Sequence, residues 1–243
     1  MIEACAIVLA GGLGTRLRAV LGETPKVLAP IRGRPFLAYV LHNLRAQGIR
    51  RVLLSTGFQA ERVQEALREC VPGGLEVQSI REPEPLGTGG AVAYVFEQVP
   101  ELERAFVLNG DTFFTGSLRK LWQAHRNRPG AQATIALVRL QEANRYGTVR
   151  FDPETGRVEA FLEKAPASGE AVWINAGLYV LERTLLRQMP SHRPCSLERE
   201  LFPRWIGQGV YAVPFPEAAF LDIGVPEDYS RAEAFLARYA HDI

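Results

Sequence analysis

The segment "GGLGTRL", Gly11 to Leu17, follows the apolar run Ala4–Leu9 almost without a break. Glycines there let a backbone turn tightly and bring its N–H groups close to an anion, and Arg16 stands just beyond them. Gly11, Gly12, Gly14 and Thr15 are therefore candidate phosphate contacts, although a plain strand-to-helix turn reads the same way. About ten residues on, "TPKVLAP" holds Lys26 between Pro25 and Pro30, so that its ammonium is presented from a stiff loop. Lys26, Lys120 and Lys164 are the only lysines among the 28 basic residues. A lysine kept beside a glycine loop that already has an arginine points to a clamp on a triphosphate. "LNGDTFF", Leu108 to Phe114, adds Asp111, a carboxylate able to hold Mg²⁺, which takes one or two acids plus phosphate oxygens. An Asp closing a turn is the alternative at that position. The P-loop string GxxxxGK is absent, and GxGxxG fails because Leu17 occupies the place of its last glycine.

The elements that must carry these residues alternate along the first half of the chain. "CAIVLA", "RVLLST", "LEVQSI" and "AFVLNGD" read as buried strands, each followed by a helical pattern: "FLAYVLHNLRAQG", "AERVQEALREC", "GGAVAYVFEQV" and "SLRKLWQAH". Continuous apolar strands separated by helices predict an α/β fold, a doubly wound Rossmann-like sheet that opens its binding crevice at the carboxyl ends of the strands. Gly11 and Asp111 then share one edge. After Gly130 "ATIALVRL", "GTVRFDPETGRVEAFLEK" and "VWINAGLYVL" leave little room for helices, which predicts antiparallel strands and a mixed sheet, with "DPETG" as a turn. Helices are expected again at "SLERELFPRWI" and at "PEDYSRAEAFLARY". The expected organisation is a single domain over 1–243, with 1–130 mainly binding nucleotide and 131–243 mainly binding sugar.

A formal charge of +1 gives no basic field for nucleic acid or a membrane surface, so small substrates are expected. Three scattered cysteines in no metal spacing read as buried thiols in a cytoplasmic protein. The N-terminal apolar run is too short for a signal peptide or a span. The four histidines lack HExxH spacing, and Lys120 on an amphipathic helix is expected to be merely solvated.

Taken together, "GGLGTRL" and "TPKVLAP" resemble the two-part signature of the sugar-1-phosphate nucleotidyltransferases, which join an NTP and a sugar 1-phosphate into an NDP-sugar and pyrophosphate. The resemblance implies Arg16, Lys26 and Asp111 as catalytic residues and Mg²⁺ on Asp111 and on Asp222 of "FLDIGVPEDY". It implies that "REPEPLGTGGA" contacts the nucleobase through Glu82 and Gly87. It also implies a sugar phosphate held by Tyr146 and Gly147 of "RYGTV", Glu163 and Lys164 of "FLEK", and Asn175 and Gly177 of "INAGLY". Across "EPLGTGGA", "LNGDTFF", "RYGTV", "INAGLY" and "DIGVPEDY" the chain resembles bacterial guanylyltransferases that act on D-glycero-α-D-manno-heptose 1-phosphate, which implies GTP as the nucleotide. Members acting on mannose, glucose or N-acetylmuramate phosphates with GTP, dTTP or UTP share the scaffold, and a silent nucleotide-binding subunit is an alternative of another class. The resemblance is compatible with a homo-oligomer.

Overall fold

The apolar runs form the strands of the central sheet in a computed structural model that describes residues 4–12, 14–141, 146–162, 171–187, 189 and 193–240. Strand β1 (Cys5–Leu9) ends at the glycine loop, which continues through a 3₁₀ turn at Thr15–Leu17 and a short α1 (Arg18–Leu21). A 3₁₀ turn at Lys26–Leu28 and the small hairpin of β2 (Pro30–Ile31) and β3 (Arg34–Pro35) precede α2 (Phe36–Ala46). The alternation then runs β4 (Arg51–Thr56), α3 (Ala60–Cys70), β5 (Glu76–Arg81), α4 (Gly87–Gln98) and β6 (Arg104–Asn109). Next come β7 (Thr112–Phe114) and α5 (Leu118–Arg126), then β8 (Ala133–Leu140), β9 (Thr148–Phe151), β10 (Val158–Leu162) and β11 (Val172–Glu182). The chain closes with α6 (Arg183–Leu186), a π turn at Leu197–Leu201, α7 (Phe202–Trp205), β12 (Val210–Phe215), β13 (Phe220–Asp222) and α8 (Pro226–Tyr239).

Among the described residues the main sheet has nine strands. Its path is β10-β9-β11-β6-β1-β4-β5, with β8 against β11 and β12 against β8. Strands β6, β1, β4 and β5 are parallel, and Leu9 lies level with Ser55 and Asn109, so their carboxyl ends share one edge. Strand β11 runs the other way against β6, with Leu178 opposite Leu108. Its first half, Val172–Gly177, therefore extends past the carboxyl edge and raises a wall there. Alternate residues of β1 feed two cores. Ala6 and Val8 meet α2, α3, α5 and α8, whereas Ile7 meets α4 and the 197–205 segment. The mixed, doubly wound α/β class expected from the sequence is present.

Three local readings change. The "GGAVAYVFEQV" helix starts earlier, at Gly87. "SLERELFPRWI" is a π turn followed by a four-residue helix, not one regular helix; Pro203, which has no N–H to give, sits at the junction. Lys120 is exposed but not simply solvated, since its Nζ donates to the Pro214 carbonyl at 3.1 Å and lies 4.7 Å from the Phe215 ring centre.

Helix α4 is fixed at both ends. Gly87 has a φ of +68°, and a Cβ there would come within 2.5 Å of the Cys195 carbonyl oxygen. That approach lets Leu86 and Cys195 pair through Cys195 N–H to Leu86 O at 2.9 Å and Gly89 N–H to Cys195 O at 2.9 Å. At the other end Arg183 donates to the carbonyls of Val99 at 2.7 Å, Leu102 at 2.8 Å and Phe96, a cation on the carbonyl end of the helix. Gly87→Ala therefore combines left-handed strain with overpacking and should cost about 2–4 kcal/mol. Arg183→Met should cost about 2–3 kcal/mol for the lost charged hydrogen bonds. Urea denaturation checks both, as lower midpoints with an unchanged slope.

Candidate active site

Two cavities open at the carboxyl edge of the sheet and share Asn109 in their walls. The first, about 460 Å³, is lined by Gly11, Gly12, Gly14, Thr15, Arg16, Lys26, Glu82, Gly87 and Asp111. Thus every nucleotide-side residue named from the sequence borders one space. The second, about 750 Å³, is lined by Tyr146, Gly147, Asn175, Gly177 and Asp222. Glu163 and Lys164 lie outside the described residues.

The two aspartates are brought together by backbone pairing. Strand β13 runs antiparallel to β7 with Asp222 opposite Thr112, and the Ile223 N–H reaches the Asp111 carbonyl at 3.1 Å. Residues 111 positions apart in the chain thereby become neighbours. Lys26 completes the cluster: its Nζ bonds Asp111 and reaches Asp222 Oδ1 at 3.4 Å, with its side chain 13% exposed. The Gly224 N–H also donates to Asp222 Oδ1, at 2.7 Å. Burial first, and then the Asp111 charge, push the Asp222 carboxyl above the usual range, and Lys26 pulls it back. One ammonium thus faces two carboxylates, and the pair retains an unmet demand for positive charge. Among the described residues no three His, Cys, Asp or Glu side chains group together. Two acids beside an open cavity are nevertheless a donor set Mg²⁺ commonly takes, with ligand and water oxygens completing its shell. The residues fit that ion.

The glycine loop uses its bareness in three ways. A Cβ on Gly11 would run into the Glu82 carboxylate, so Gly11 is bare for packing and not only for a ligand. Gly14 adopts a φ of +58°, the left-handed region, directly before the turn that carries Arg16. Gly12 has open space beside it. Gly87 is bare for packing as well. The residue borders the cavity, but the room left by its missing side chain is filled by the Cys195 backbone.

Glu82 is buried, at 8% exposure, at the end of β5. Its Oε1 accepts from Ser55 Oγ at 2.9 Å and its Oε2 from the Leu86 N–H at 3.2 Å. Burial raises its pKa against these two hydrogen bonds. Each oxygen keeps a lone pair for a donor in the cavity.

Several lining residues were not singled out from the sequence as site residues. Asn109, at the tip of β6, faces both cavities, and its neighbour Asp111 in the same string was the only available pointer. Thr88 lines the smaller cavity from the first turn of α4. Glu198 and Arg199 sat inside an apparent helix, yet both line the larger cavity together with Tyr179 and Phe220, whose ring packs edge-on to Tyr146 at 5.6 Å. Their placement follows from the pairing of Cys195 with Leu86, which no periodicity reveals.

Comparison with known proteins agrees with this geometry. The model of the family described as nucleotidyl transferase matches residues 5–239. The D-glycero-alpha-D-manno-heptose 1-phosphate guanylyltransferase of Aneurinibacillus thermoaerophilus is 38% identical over 234 residues, 96% of this chain and 99% of its own. The mannose-1-phosphate guanylyltransferase of Mycobacterium tuberculosis is 37% identical over 239 residues, 96% of this chain but 64% of its own length. The crystal structure of HddC from Yersinia pseudotuberculosis complexed with GMP-PN matches with a TM-score of 0.83 at 31% identity, covering 96% of this chain and all of that one. A glycine loop, two facing aspartates and a matched family over nearly the whole sequence lead to one conclusion: this chain belongs to the nucleotidyl transferase family.

Proposed function

We propose that this protein is a guanylyltransferase that transfers GMP from GTP to D-glycero-α-D-manno-heptose 1-phosphate and releases pyrophosphate. The observation that carries this reading is the meeting of two cavities at Asn109, with Asp111 on the wall of one and Asp222 on the wall of the other. An anionic phosphate oxygen of the sugar attacks the α-phosphorus, pyrophosphate leaves in line, and no general base is required. The barrier lies in bringing two polyanions together, so catalysis is positioning and charge neutralisation.

In this reading the smaller cavity takes GTP. Arg16, in no ion pair among the described residues, draws the β- and γ-phosphates and holds the leaving pyrophosphate. The N–H groups of the glycine loop and Thr15 orient the triphosphate. Guanine presents its N1–H and N2–H groups side by side, and the buried Glu82 carboxylate accepts from that edge. The larger cavity takes the sugar 1-phosphate, against Tyr146, Gly147, Asn175 and Gly177, with Glu163 on a hydroxyl and Lys164 on the phosphate. Asp111 and Asp222 would hold Mg²⁺, whose positive charge would offset the negative charge of the phosphate oxygens. Lys26 holds both carboxylates in place and adds its own charge at the junction. A single domain over 1–243 does this work, 1–130 serving mainly the nucleotide and 131–243 mainly the sugar, in the cytoplasm.

A panel of GTP, dTTP, UTP and ATP against heptose, mannose, glucose and N-acetylmuramate 1-phosphates, scored by pyrophosphate release, tests the assignment. The highest kcat/KM is expected for GTP with the heptose phosphate. A preference for mannose 1-phosphate, acted on by the mycobacterial relative according to its name, would move the sugar assignment, and no release with any pair would leave a silent nucleotide-binding subunit. Asp111→Asn should keep the fold by circular dichroism and lose about 100-fold or more in kcat. Removal of divalent ions should abolish turnover, and added Mg²⁺ should restore it. Glu82→Gln, which replaces an acceptor by a donor at the base edge, should lower kcat/KM for GTP by about tenfold or more and narrow the preference over ATP.

A further inference from the structure

Within the wall of the larger cavity runs a chain of hydrogen bonds in which each donor has one direction. Glu198 is its acceptor. Its Oε2 takes the hydroxyls of Thr88 at 2.7 Å and Ser196 at 2.9 Å, and its Oε1 takes the Tyr179 hydroxyl at 3.1 Å. The oxygens of Thr88 and Ser196 in turn accept from the N–H groups of Leu197 at 2.8 Å and Arg199 at 3.2 Å, so both hydroxyl protons are committed to the carboxylate. Tyr179 is wholly buried, and burial together with the Glu198 charge holds its pKa well above the usual tyrosine value. The phenol keeps its proton and donates its hydrogen bond to Glu198.

One consequence reaches the cavity. With its proton directed at Glu198, the Tyr179 oxygen can only accept, and it accepts from Asn175 Nδ2 at 2.9 Å. Asn175 Oδ1 is already taken by the Gly177 N–H at 2.8 Å. The amide orientation is therefore fixed, both of its anchored atoms are occupied, and among the described residues a single Nδ2 hydrogen remains uncommitted in a residue that lines the larger cavity. Residues 175–179 are also where β11 breaks register with β8, the irregularity that lets Asn175 and Tyr179 face each other.

Resting on the nucleotidyl-transfer reading above, we infer that Glu198 is a positioning residue for the sugar substrate: acting through Tyr179, it makes Asn175 a hydrogen-bond donor to the sugar 1-phosphate. Thr88 and Ser196 anchor the carboxylate, Tyr179 transmits its polarity, and Asn175 reads an acceptor oxygen of the substrate. Without the carboxylate, the Tyr179 proton is free to turn toward Asn175 Nδ2, donor then faces donor, and the amide, still tied to the Gly177 N–H through Oδ1, is pushed from the position in which its free hydrogen meets the ligand.

Glu198→Gln, Tyr179→Phe and the double variant test this in the full-length chain, by pyrophosphate release at varied GTP and varied sugar 1-phosphate, alongside thermal melting. Each single variant should raise KM for the sugar 1-phosphate about tenfold, the worth of one hydrogen bond, while KM for GTP stays within about threefold. The double variant should match the worse single within about twofold, because both act through one amide. Parallel rises in both KM values with a lowered Tm would mean a merely structural role and overturn the inference. So would additive effects or an unchanged sugar KM. If Glu198→Gln does not fold, Tyr179→Phe decides alone on the same KM split. A wild-type chain that turns over no sugar 1-phosphate removes the functional reading and this inference with it, whereas a working wild type with an unchanged sugar KM in the variants removes the inference only.

Discussion

Two carboxylates set against a single ammonium are the constraint from which the rest of the site follows. Two like charges about 4 Å apart repel by roughly 4 kcal/mol at the effective dielectric near a protein surface, and partial burial of Asp222 adds to that cost. Lys26, its side chain largely covered, offsets part of it by touching both acids. What remains is a local deficit of positive charge where two cavities meet, in a molecule whose overall formal charge is +1. Substrates that are themselves polyanions deepen that deficit, and a divalent ion removes it. The charge left over at the two acids is thus negative, the sign that attracts a cation.

The geometry of that cluster is a product of the sheet. Asp111 reaches the edge because β6 lies parallel to β1 and ends level with it. Asp222 arrives only because β13 pairs with β7, outside the main sheet. Strand β11, antiparallel to β6, then overshoots the edge and supplies the second cavity with Asn175, Gly177 and Tyr179. A parallel sheet alone would give one crevice; the reversed strand gives the second.

How much of this the sequence disclosed depended on whether a residue was placed by local pattern or by a distant partner. The parallel strands, the helices α2, α3, α5 and α8, the turn at Asp152–Gly156 and the shared edge of Gly11 and Asp111 follow from periodicity and turn chemistry, which are local. Asp222 could be tied to Asp111 only through family resemblance, because a pairing between residues 111 apart leaves no local trace. Glu198 escaped altogether: within "SLEREL" a glutamate looks like an ordinary helix charge, and its partners Thr88 and Tyr179 are far away in sequence. The glycines were legible as glycines but not for their reasons. Gly11 makes room for Glu82 and Gly87 for the Cys195 backbone, close approaches to distant protein atoms that no local pattern reveals.

That same packing bears on how two substrates can be held at reacting distance. The turn from Leu86 to Gly89 is gripped on one side by Glu82, which accepts the Leu86 N–H, and on the other by Glu198, which accepts the Thr88 hydroxyl. The Cys195 backbone closes it from a third direction. Glu82 belongs to the wall of the smaller cavity and Glu198 to the wall of the larger. Bringing reactants into a near-attack geometry requires their reacting atoms within about 3–3.5 Å, and the gain is lost if the two sites shift relative to one another. A single short turn, closely packed at Gly87, Gly89 and Gly90, is thereby fastened by carboxylates to the walls of both cavities.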